Sequence, residues 1–252
     1  MTSIEPNILV SQPTNDDRVF VVTLNRAALR NTLSIETLKE LTETFKQLSQ
    51  NNIATIIVLR GLGEAFAAGA NIKELLALTL QAAVDFSLLG GNLFRTISNV
   101  PQLVIAAIDG YCMGGGLDLA LSCDLRYGSK QAIFAHPGAN IGIITGFGGT
   151  YRLPKLIGLQ KATELFATAD RINALQALEC GLIQGFAENL SAYDFALERA
   201  LAIVQLGKDP ISKVKKLTRL ANDIGTPQVN LLLDRYHQLI NLNEKGQELQ
   251  NS

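Results

Sequence analysis

Residues 101–129 read PQLVIAAIDGYCMGGGLDLALSCDLRYGS. Leu103 to Ile108 is a continuous apolar run closed by Gly110, and a strand apolar on both faces needs cover on both sides of its sheet. Three glycines, Gly114 to Gly116, follow, and the apolar stretch Leu117 to Ser122 then reads as a helix that carries one carboxylate, Asp118. A strand, a bare-backbone turn and a helix start in close succession form the junction at which ligands collect in α/β proteins.

The flanking sequence repeats the pattern. Ile53 to Leu59 is a second continuous apolar run, closed by Gly61 and Gly63, and Val19 to Leu24 is a β-branched run ended by Asn25 and Arg26. Both are predicted strands. Ser34 is a predicted N-cap, with Ile35, Leu38, Leu41, Phe45 and Leu48 at helical spacing before Asn51-Asn52 breaks it. The fold class expected is α/β, built from ββα or βαβ units. After Phe134 comes a glycine-bearing loop, HPGANIGIITGFGG (136–149), then a helix near Lys161 to Ala167 and another in NALQALECGL (173–182), stopped by Gly181 at C′. From Ser191 the pattern is helical: Tyr193 to Leu206, Pro210 to Leu220, and a third helix with Thr226 as N-cap and Pro227 at N1. A boundary is expected near residue 190, giving a core over 1–190 and a helical region over 191–252 too small to bury its own apolar faces.

Composition narrows the function. The 252 residues are 47 % hydrophobic and 18 % charged, with a formal net charge of −1 and no block of like charge. That excludes the electrostatic footprint of a nucleic-acid binder or a polybasic membrane binder. Cys112, Cys123 and Cys180 are odd in number and lack CxxC spacing, and His136 and His237 lie far apart, so neither a disulfide framework nor a metal site is expected. The start of the chain has no apolar signal-like region, and a cytoplasmic location is the expectation.

Three familiar motifs are absent. GLGEAFAAGAN (61–71) lacks the third glycine of a dinucleotide fingerprint, and neither GxxxxGK[ST] nor GxSxG occurs. What remains is a pair of small-residue turns, Ala67-Ala68-Gly69-Ala70 and Gly114-Gly115-Gly116, each after an apolar strand. Read from the residues alone, these glycines serve either tight strand-to-helix packing or a pair of backbone N–H groups aimed at one oxygen.

In order and spacing, VVTLNRAALRNTLS (21–34), IIVLRGLGEAFAAGANIKEL (56–75), residues 101–129, FAHPGANIGIITGFGGTYRLPKLIG (134–158) and TADRINALQALECGLI (168–183) resemble the successive blocks of the crotonase (enoyl-CoA hydratase/isomerase) superfamily. The resemblance covers about residues 17 to 190. It implies a spiral of ββα units whose C-terminal helices form a trimer or a dimer of trimers, acting on an acyl-CoA or acyl-carrier-protein thioester. No separate cofactor is implied, since coenzyme A is part of the substrate.

By this resemblance the N–H groups of Ala68 and Gly115 form the hole that holds a thioester enolate, and Ala67, Ala70, Asn71 and Ile72 line the entry for the coenzyme. Arg26, Lys73, Lys215 and Lys216 are the candidates for its phosphates. The resemblance also implies two acids. The first falls at Asp118, an acid/base or else a carboxylate capping its helix; the second falls at Gly138, which has none, and the further acid of the dienoyl-CoA isomerase branch falls at Gly146. A decarboxylase-like enzyme or a non-catalytic acyl-CoA binder is therefore the alternative to a hydratase or isomerase. On the binder reading, Gly138→Glu should raise enoyl-CoA hydration. His136, Asn140, Tyr111 and Tyr151 are further polar candidates to reach the site, and for His136, just before Pro137, a structural role is the expectation.

Overall fold

The computed structural model describes residues 6–13 and 15–224. The chain enters with β1 (Ile8–Ser11) and β2 (Val19–Leu24), passes through a 3-10 turn at Ala27–Leu29, and forms α1 (Ile35–Ser49). It then builds β3 (Ile56–Gly61), β4 (Ala65–Ala67), α2 (Ile72–Ala77) and α3 (Leu80–Asn99); next come β5 (Leu103–Ile108), β6 (Tyr111–Met113) and α4 (Gly115–Ser122). A third turn of the spiral gives β7 (Leu125–Ser129), β8 (Ile133–Ala135), a 3-10 turn at Pro137–Ile141, α5 (Gly149–Ile157) and α6 (Leu159–Thr168). β9 (Ile172–Asn173), α7 (Ala174–Glu179), β10 (Gly185–Ala187), α8 (Ala192–Val204) and α9 (Lys208–Ile224) complete the described chain. The predicted helix from Thr226 lies outside the described residues.

After the β1–β2 pair, each successive pair of strands (β3/β4, β5/β6, β7/β8 and β9/β10) sends one strand into each of two sheets. The larger has the order β1-β2-β3-β5-β7-β10, antiparallel only between β1 and β2; the smaller has the order β4-β6-β8-β9, antiparallel only between β8 and β9. Two-faced burial is realised in the large sheet. Val22, Leu24, Ile57, Leu59, Val104 and Ala106 face α1, α3 and α4, while Val19, Val21, Ile56, Val58, Ile105 and Ala107 face α8. Helix α8 meets that second face with Ala192, Ala196, Ala200 and Val204, a stripe of period four whose small side chains let helix and sheet approach closely.

Local chemistry sets the ends. Ser34 caps α1 by accepting the Thr37 N–H at 3.1 Å. The strand expected from Ile53 starts at Ile56, because the Asn51 side chain accepts the N–H groups of Ile53 and Ala54 at 2.8 and 2.9 Å and holds them in a turn. Helix α9 is pinned by an ion cluster in which Lys215 Nζ lies 2.8 Å from Asp124 Oδ2 and donates to the Gln102 carbonyl at 2.7 Å, while Arg219 reaches Asp124 Oδ1 at 2.6 Å. Burial pushes the Lys215 ammonium down, opposed by Asp124. Lys215 is thus a buried strut, which removes it from the candidates for a coenzyme phosphate.

Candidate functional site

The β4–α2 turn, α3, the start of α4 and the 136–147 loop enclose a cavity of about 520 Å³ with apolar walls that include Ile72, Val84, Phe86, Ile143 and Phe147. Phe147 is held by Phe86 and Phe94, at ring-centroid distances of 5.2 and 5.4 Å. Ser87 on α3 donates to the Gly146 carbonyl at 2.8 Å and ties the loop to the helix.

The glycine turns bring bare backbone to this cavity. Gly114 has φ 52° and ψ −120°, a conformation for glycine, and it starts α4 with no side-chain cap. At Gly116 any Cβ would sit 2.1 Å from the Ala67 carbonyl oxygen, so α4 packs directly on β4 only because glycine stands there. Gly115 lines the cavity as the first residue of α4, and its N–H has no intrahelical acceptor.

The second expected donor is corrected by the strand pairing. Ala68 lines the cavity, but its N–H donates to the Arg30 carbonyl at 2.9 Å and is not free for a ligand. The free N–H two residues on belongs to Ala70, which donates to no group among the described residues. A methyl group at Gly115 would lie 3.5 Å from the Ala70 nitrogen, so these two cavity-lining donors are neighbours. The register follows from the bridge between Leu33 and Ala70, in which Leu33 N–H donates to the Gly69 carbonyl at 2.8 Å.

Asp118 is fully buried and does not itself line the cavity. Its Oδ1 lies 3.1 Å from His136 Nε2, and its Oδ2 accepts a hydrogen bond from the Thr145 hydroxyl. His136 and Thr145 do line the cavity, so the carboxylate meets that space through them. A Cβ on Gly149 would lie 1.9 Å from Asp118 Oδ1, which makes that glycine the reason the carboxylate fits. Burial lowers the Arg152 guanidinium and the Asp118 charge opposes that shift. Gly138 lines the cavity too, but a Cβ there would lie 2.2 Å from the Ile143 carbonyl oxygen.

The remaining predicted residues spread out from this centre. Ile72 lines the cavity, Ala67 is buried in β4, Asn71 caps α2 by accepting the Lys73 N–H at 3.1 Å, and Lys73 is exposed one position beyond Ile72. Arg26 hydrogen-bonds the Asn7 side chain and Lys216 is exposed on α9; neither lines the cavity, and nor do Asn140, Tyr111 or Tyr151. No group of three His, Cys, Asp or Glu side chains among the described residues could hold a metal ion, and no described helix is long and apolar enough to cross a membrane. Of the polar candidates His136 alone lines the cavity, and Thr145 joins it there without having been a candidate. The signal available was that His136 and Asp118 each flank a glycine turn of adjacent strands.

The fold is thus a two-sheet ββα spiral with two free backbone N–H groups at the wall of an apolar cavity. Comparison with known proteins places it in a family. The enoyl-CoA hydratase/isomerase family model matches residues 14–244, and the chain belongs to that family. It is 37 % identical over 190 residues to the short-chain-enoyl-CoA hydratase of Clostridium acetobutylicum, covering 75 % of this chain and 73 % of the relative. Among solved structures, enoyl-CoA hydratase from Bacillus anthracis matches with a TM-score of 0.88 and 31 % identity over 97 % of this chain and 95 % of that one. Enoyl-CoA hydratase from Thermoplasma volcanium matches with a TM-score of 0.87 and 26 % identity over 94 % and 92 %.

Proposed function

We propose that the cavity binds the acyl part of an enoyl-CoA thioester, with the thioester carbonyl between the N–H groups of Ala70 and Gly115, and that the protein hydrates the double bond. The single observation that carries this reading is the adjacent pair of unpaired N–H groups at the wall of an apolar cavity. As a nucleophile adds to the β-carbon, the π electrons move towards the thioester and charge grows on its oxygen. Two dipoles already in place bind that oxygen more strongly in the transition state than in the substrate. Each such donor accounts for about 10²–10³ in rate.

The start of α4 reinforces the effect, because its dipole favours negative charge at the same end. The apolar walls suit an aliphatic acyl chain. The hydratase relatives support hydration, and the same enolate would serve a double-bond isomerisation. Arg26, Lys73 and Lys216 remain candidates for the coenzyme phosphates, together with Asn71 and Ile72 at the entry.

The test is a panel of enoyl-CoA thioesters incubated with the purified protein and followed by mass spectrometry. A gain of one water with loss of the conjugated absorbance is the result expected. Thioesters recovered unchanged, with no binding by calorimetry, would refute the reading.

A further inference from the structure

We infer that the group moving protons at this site is His136, with Asp118 and Thr145 as positioning residues. This assignment rests on the thioester reading above. Position 138, where the resemblance implies a carboxylate, offers only backbone, and Asp118 stands behind the cavity wall. Among the described residues the titratable side chain on the wall of this cavity is His136.

The hydrogen-bond pattern orients its ring. Thr145 Oγ1 accepts the Phe147 N–H at 3.2 Å, so its own proton goes to Asp118 Oδ2. Asp118 thus acts as an acceptor at both oxygens, and His136 Nε2 is the ring nitrogen that donates to it. Nδ1 then carries the lone pair. It has no partner among the described residues, and the residue that carries it lines the cavity. Phe166 packs on the ring with centroids 4.8 Å apart, which holds its plane. The charged and titratable groups around the pair are Asp118 on α4, Arg152 on α5 and the buried thiol of Cys112 on β6.

The step balances without another reactant. Nδ1 takes one proton from water as its oxygen bonds the β-carbon; the π pair passes to the thioester oxygen, and the enolate then collapses to take that proton at the α-carbon. The ring returns to its neutral form, and the net change is addition of one water. The imidazolium formed in between is stabilised by Asp118.

Three variants test this. His136→Gln keeps a polar side chain but cannot cycle a proton, and kcat should fall by about 10²–10⁴-fold while the thioester still binds. In His136→Ala, imidazole added to the buffer should restore part of the lost rate, which relief of a packing defect would not do. Asp118→Asn should lower kcat with binding retained, and nitrogen NMR of the ring should show Nδ1 and Nε2 sharing the proton. A His136→Gln protein that turns over at the wild-type rate, or a His136→Ala protein that binds thioester and ignores imidazole, would overturn the assignment alone. A wild-type protein that neither binds nor converts a thioester would overturn the functional reading and this assignment together.

Discussion

Gly138→Glu would place a carboxylate where the family resemblance implies one, and the structure predicts that this costs stability without raising hydration. A Cβ at residue 138 would lie 2.2 Å from the Ile143 carbonyl oxygen, backbone that cannot swing aside like a side chain. The neighbouring Ile143 N–H donates to the Gly138 carbonyl at 2.9 Å, and this bond closes the loop. Relief of the clash moves residues 138–143 apart. Overpacking costs about 1–3 kcal/mol and loss of the loop hydrogen bond about 1 kcal/mol. Together they lower Tm by roughly 4–16 °C for a chain of this size. Because Ile143, Thr145 and Phe147 all line the cavity, loop movement also disturbs the contact between Thr145 and Asp118. Differential scanning calorimetry and an enoyl-CoA hydration assay on the same preparation read both effects. Gly138→Ala, which adds the clash without a charge, should lose nearly as much stability. A Gly138→Glu protein as stable as the wild type and faster in hydration would refute both the packing argument and the view that the loop is built around a bare backbone.

Further predictions follow from neighbouring contacts. Gly149→Ala drives a methyl group against Asp118 Oδ1, so kcat should fall while thioester affinity, read by calorimetry, is retained. Asp124→Ala strands the buried Lys215 ammonium and removes the acceptor of the Val104 N–H at 2.8 Å, and denaturant unfolding should show a loss of about 3–5 kcal/mol. In the folded protein a thiol reagent should label Cys180 alone; Cys112 is buried with its thiol pushed up, and burial pushes Cys123 up to about 12. Peptide mapping after labelling checks this, with all three labelled in denaturant.

Strands β2, β3 and β5 of the large sheet are legible because they are apolar runs that must be covered on both faces. Ser34 announces α1, since a capping side chain beside a periodic stretch is local chemistry. The small sheet was not legible. Its strands are two or three residues long, too short to show alternation, and β4 and β6 lie inside stretches that read as turns. The same limit explains the shift from Ala68 to Ala70 as a donor. Both are alanines, and which N–H is free depends on pairing with Arg30 and Leu33, well over thirty positions away. The place of His136 before Pro137 suggests a structural residue, whereas its surroundings depend on a carboxylate one spiral turn earlier and on a hydroxyl that follows it by nine positions. Glycine turns mark where a site is; the strand register decides which groups face it.

Polarisation of a thioester carbonyl by Ala70 and Gly115 would show in the vibration of that carbonyl. The most direct measurement is the infrared stretch of an acyl-CoA labelled with carbon-13 at that carbonyl, free and bound, in difference spectra. A shift to lower frequency on binding is expected, as two hydrogen bonds draw electrons towards oxygen. A bound thioester whose carbonyl stretch stays at its solution frequency or rises would contradict it.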